Sequence, residues 1–98
     1  MSADTDPLTA RIMLVEGGIG ANNLLVNSSA THTVSHIDGI TQMPAERIDM
    51  CMRRELAERL GVSTGSVEIL RASVAQKVEA LQAVANRHGW VVTPIEPT

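Results

Sequence analysis

Between Pro44 and Gly61, apolar residues recur at spacings of three and four: Ala45, Ile48, Met52, Leu56 and Leu60. That spacing places them on one stripe of an α-helix, because 3.6 residues complete a turn. The flanks agree with the period. Pro44 supplies a backbone angle suited to a helix start, where its missing N–H costs nothing. Glu46 complements the positive end of the helix dipole, and Gly61 tolerates the left-handed turn that commonly ends a helix. The sequence therefore predicts one uninterrupted helix with a single face that must be covered, and whatever covers it sets the fold class.

A second helix is predicted from about Val74 to His88. Ser73 is a favoured N-cap, and Gln76 three residues later completes a capping box. Val74, Val78, Leu81 and Ala85 are the expected core stripe, and Gly89 the stop. The first half of the chain reads differently. Arg11 to Val15 is a short apolar run that ends in Glu16-Gly17-Gly18-Ile19-Gly20, as a buried strand entering a turn would. Thr31 to Ile37 is rich in β-branched residues, with Val34 between His32 and His36 in a two-residue frame. Asp38-Gly39 is a turn. Trp90 to Thr93 is a short final strand, stopped by Pro94 and Pro97. Residues 1–9 read as a tail and 10–98 as a single globular domain.

At 98 residues there is length for one core and no second. With one Trp, no Phe and no Tyr, that core must be built from Ile, Val, Leu, Ala and Met. Aliphatic side chains bury less area each than aromatic ones, so burial in a homo-oligomer is expected. The net charge of −3 is unevenly placed: residues 1–43 carry −3, residues 44–88 carry +1, and Glu96 adds the last negative charge. Nucleic-acid binders usually show a clear basic excess, and here the second half is only weakly positive. Cys51 is the sole cysteine, so no intrachain disulfide can form. The acidic N-terminus lacks the basic and apolar regions of a signal peptide, and no apolar run approaches the ~20 residues of a membrane span. A cytoplasmic, non-membrane protein is expected.

Residues 54 to 71 admit two conformations. Leu56, Ala57, Leu60, Gly61, Val62, Val67 and Leu70 match the small, turn and apolar positions of a helix-turn-helix, and the stretch resembles that motif in bacterial regulators and antitoxins. The resemblance implies that Ser63, Thr64, Ser66 and Arg71 lie at or near the major groove of DNA. Against it, Pro44 to Leu60 reads as one helix with no separate preceding helix, and such domains have no strand-rich first half. Gly65, Val67 and Ile69 are mediocre helix formers, and Val67 and Ile69 alternate with Glu68 as a half-buried strand would. The strand is the preferred reading.

Candidate chemistry is sparse. His32 and His36 are the candidate metal ligands, but on a strand they stand roughly 13 Å apart at ~3.3 Å per residue, too far to share one ion. The Glu16 to Asn22 segment offers backbone N–H groups of the kind that cradle phosphates, but it feeds no evident helix, and a hairpin loop accounts for its glycines. Ser28, Ser29 and Ser35 lack a base and an orienting partner. Glu55 and Glu58, interspersed with arginines, read as a solvated face. No motif implies a cofactor. Met50 falls off the helix stripe among Arg47, Arg53 and Arg54, and with Ala80, Ala83 and Val84 it is a candidate contact surface.

The expected fold is a small α+β domain ordered roughly β-β-α-β-α-β, with two helices on one face of a mainly antiparallel sheet. The expected role is a non-catalytic binding or assembly module, with a second copy of the chain as its partner. A DNA-binding regulator or antitoxin is the alternative, and an enzyme or metal protein with a site assembled between subunits is the third.

Overall fold

The strand-rich first half folds as three strands that share one sheet with the C-terminal segment. The computed structural model describes residues 8–25 and 29–96. Its strands are β1 (Thr9–Val15), β2 (Gly18–Asn22), β3 (His32–His36) and β4 (Trp90–Pro94), and its helices α1 (Ala45–Leu60), α2 (Val67–Arg71) and α3 (Val74–His88). The sheet order is β2-β1-β3-β4, with every neighbouring pair antiparallel. The α+β class and the helix-covered antiparallel sheet agree with the sequence reading. Residues 1–7 of the expected tail lie outside the described residues, while Thr9 opens β1.

The element order does not agree. It is β-β-β-α-α-α-β, because Gly18–Asn22, expected within a glycine-rich hairpin loop, pairs with β1 as a strand, and Val67–Arg71 is a helix and not the expected strand. Local chemistry accounts for the helix. The Ser66 hydroxyl caps the helix by accepting from the Glu68 N–H, which satisfies a donor that an isolated turn would leave open. Val67 and Ile69 do not share a buried face: Val67 is 54% exposed and Ile69 fully buried. The two-residue alternation was thus a coincidence of composition.

Register sets the two faces of the sheet. Ala10 lies opposite Val34, Leu14 opposite Ile19, and Val34 opposite Val92. These residues face the helices, where Ala10, Ile12, Leu14, Ile19, Val34 and Trp90 join Ile48, Met52, Leu56, Ile69, Leu81 and Val84 in one core. Thr9, Arg11, Met13, Thr33, Ser35, Val91 and Thr93 belong to the opposite face by strand alternation. The Glu16-Gly17 turn joins β1 to β2 as a hairpin, with Gly17 at φ 77°. That conformation disfavours any residue with a Cβ.

Helix α1 buries Ala45, Ile48, Met52 and Leu56, as the stripe predicts, and Leu60 is half-buried. Its terminal Gly61 takes φ 69°. The Ser73–Gln76 capping box on α3 is also present, each side chain bonding the other residue's backbone N–H. The buried stripe of α3, however, is rotated from the expected one. Val74 is exposed and Val78 half-buried, whereas Lys77, Ala80, Leu81, Val84 and Ala85 face inward. Ala80 and Val84 are fully buried against α1 and the sheet, so they are core residues and not the contact surface expected of them. Ala83 is half-buried.

The inward rotation of α3 takes a lysine into the core. Lys77 is fully buried, and its ammonium donates to the carbonyls of Val15 at 2.7 Å, Gly18 at 3.3 Å and Leu70 at 2.7 Å. An ammonium has three protons and no acceptor. Three carbonyls from three elements, β1, β2 and α2, therefore match it completely, tying the β1–β2 hairpin and the end of α2 to α3. Burial pushes the Lys77 ammonium below its usual pKa, and the charge of Glu16 opposes this.

Candidate functional site

The outer face of α1 sets an exposed apolar side chain among charged ones. Residues on this helix that miss the buried stripe point away from the sheet, and Met50 stands among them with 54% of its surface exposed. An unbranched thioether at such a position is both apolar and adaptable in shape. Shallow clefts lie on both sides of it. One, of about 370 Å³, is lined by Glu46, Asp49, Arg53, Arg54, Thr64 and Gly65 as well as Met50. The other, of about 480 Å³, lies between α1 and the end of α3, and Arg47, Cys51, Arg54, Arg87 and His88 are among its walls.

The charges around Met50 differ in whether they are spent. Arg53 is paired with Asp49 at 3.0 Å and also donates to the Ile19 carbonyl at 3.4 Å. Glu55, expected on a solvated face, is instead buried, and it accepts from Arg59 at 2.8 Å and Arg87 at 2.7 Å. Those two guanidinium groups hold the Glu55 carboxyl below the usual carboxylate range, against the opposing effect of its burial. Because Arg87 comes from α3, this carboxylate links the two long helices, a role visible only once they are packed. Glu46, Arg47 and Arg54 are exposed and form no ion pair with another described residue.

Cys51 is half-buried against the core, as expected of a small hydrophobe, and its Sγ lies 4.0 Å from His88 Nε2. His88 in turn stacks on Trp90, with ring centroids 4.6 Å apart and planes inclined by 16°. That stack shields the single indole where α3 hands over to β4.

The remaining sequence candidates are dispersed. His32 and His36 occupy opposite ends of β3, roughly 13 Å apart at ~3.3 Å per residue. His32 Nδ1 lies 2.8 Å from the Thr31 hydroxyl, and burial lowers its pKa. The two imidazoles are not brought together, and among the described residues no group of three or more His, Cys, Asp or Glu is placed to hold a metal ion. Ser63 and Thr64 lie exposed in the loop after α1, and Arg71 is exposed at the end of α2. Ser66 is committed to its cap.

No family model, curated protein or solved structure matches the chain. Among the described residues, no helix is long and apolar enough to cross a membrane.

Proposed function

We propose that this chain is a small, non-catalytic assembly module of the cytoplasm that binds a second copy of itself through the outer face of α1. The observation that carries this reading is Met50: a large apolar side chain, 54% exposed, between two clefts and bordered by Glu46, Arg47 and Arg54, which form no ion pair with another described residue. An exposed apolar centre with a charged rim is the general anatomy of a protein contact. The aliphatic core adds a reason for association, since a chain of this size built from small side chains gains stability by burying surface against another subunit.

The test is a single substitution on the solvent side of the helix. Wild-type protein should sediment near twice the 10.5 kDa of the chain, and Met50→Glu should return it to the monomer mass with its helical circular dichroism unchanged. A Met50→Glu variant that keeps the wild-type mass defeats the reading.

The helical conformation of Val67–Arg71 favours a second reading, DNA binding through a helix-turn-helix. Its supports are the exposed Ser63, Thr64 and Arg71. Its weaknesses are the length of α2, five residues or about 7.5 Å of axis at 1.5 Å per residue, and the acidic Glu68 in its first turn. This reading expects duplex binding at low salt that weakens as salt rises and falls further on Arg71→Ala. An absence of shift for a mixed-sequence duplex at about 50 mM salt removes it.

A further inference from the structure

The row of side chains through Met50 also specifies how a second copy would sit. Glu46, Met50 and Arg54 are each four residues apart on α1, so they line one ridge of the helix surface, the kind that packs into the groove of a facing helix. Glu46 and Arg54 carry opposite charges and flank Met50 symmetrically, each about 6 Å from it along the axis at 1.5 Å per residue. Within one chain they are therefore about 12 Å apart along the axis, too far to pair with each other, and neither has another ion-pair partner among the described residues. All three border the same cleft.

A two-fold axis through Met50, perpendicular to the helix, brings each residue before Met50 opposite the one equally far after it in the other copy. Met50 then meets Met50, and each Arg54 meets the Glu46 of the other copy. We propose that two copies of the chain associate through antiparallel α1 helices that cross at Met50, closed by two reciprocal Glu46–Arg54 ion pairs. The inference rests on the reading of the Met50 face as a self-contact, and it adds orientation and register to it. A parallel alignment would instead set Glu46 against Glu46 and Arg54 against Arg54, so the charges select one orientation. The same axis aligns Arg47 with Arg53 of the other copy. Arg53 is held on its own chain by Asp49 and the Ile19 carbonyl, which screens that like-charge approach.

Charge exchange tests the register. Sedimentation equilibrium of the full chain at low ionic strength compares wild type, Met50→Glu, Glu46→Arg, Arg54→Glu and the Glu46→Arg/Arg54→Glu double variant. Each single reversal should weaken the dimer by on the order of tenfold or more, because symmetry turns two attractions into two repulsions. The double variant restores both pairs with exchanged signs and should recover affinity to within roughly threefold of wild type, a gain that unfolding cannot mimic. Single reversals without effect, or a double variant as weak as the singles, overturn the antiparallel register. If Met50→Glu still dissociates the dimer in that case, the self-contact stands and only its geometry falls. A monomeric wild type, or a Met50→Glu variant of unchanged mass, overturns both.

Discussion

Lys77→Met lowers the free energy of unfolding by about 3 kcal/mol, measured by urea denaturation at neutral pH. Methionine keeps an unbranched stem of similar volume, so the expected loss is chiefly that of the ammonium and its three bonds to Val15, Gly18 and Leu70. A hydrogen bond to a charged group contributes about 1.5–3 kcal/mol, and a buried carbonyl left without a donor costs about 1–3 kcal/mol. The sum is reduced because the variant no longer buries a charge. The net loss is then a large share of the 5–15 kcal/mol typical of a folded domain. Its consequences should be local as well as global. Amide exchange should accelerate around Ile69 to Ala72, where α2 loses the bond that ties its last turn to α3. A Lys77→Met variant as stable as wild type would mean that relief of the buried charge cancels all three bonds.

Leu81→Ala costs about 3–4 kcal/mol by the same measurement, since it removes a fully buried side chain and leaves a cavity that close-packed neighbours fill only in part. Leu81 lies one turn beyond Lys77 on the inward face of α3. The two substitutions share neighbours, so their combined effect should depart from the sum of the single ones. The oligomer mass of Leu81→Ala, in protein that remains folded, should not change, which separates the core face of α3 from the outer face of α1. A loss below about 1 kcal/mol would show that the site collapses around the missing methyl groups.

The two long helices were legible in the sequence because each side of the prediction rested on local chemistry. Pro44, Glu46 and Gly61 mark one helix, and Ser73, Gln76 and Gly89 the other, without reference to the rest of the chain. The strands around Ile12 and Val34 were legible for the same reason, through β-branched runs bounded by turn residues. Val67–Arg71 was not, because five residues hold too few apolar positions to separate a two-residue period from a 3.6-residue one. Its cap at Ser66 was the one usable signal. Glu55 was misread because an i,i+4 partner such as Arg59 accompanies both a solvated ion pair and a buried one. Arg87, the partner that draws it inward, is 32 positions away.

On the candidate surface, the sequence marked Met50 correctly as off the buried stripe of α1, and it marked Ala80 and Val84 incorrectly as an outer flank of α3. The difference lies in how strongly each stripe is determined. On α1 the large side chains Ile48, Met52 and Leu56 leave one choice of inward face. On α3 the candidates are mostly Ala and Val, and a rotation of about one residue exchanges Val74 and Val78 for Lys77 and Val84 at little cost in apolar area. A buried lysine opposes that rotation in any reckoning from hydrophobicity alone.

The sequence by itself therefore determined what depends on neighbours within a few residues: the helix limits, the turn at Gly17, the α+β class and the inward stripe of α1. The tertiary structure alone decided the azimuth of α3 and the burial of Glu55 and Lys77. Each of those depends on a partner from a distant part of the chain. For Lys77 the partners are carbonyls of the β1–β2 hairpin and α2, and a carbonyl has the same chemistry in every residue, so nothing in the sequence distinguishes the three that receive the ammonium.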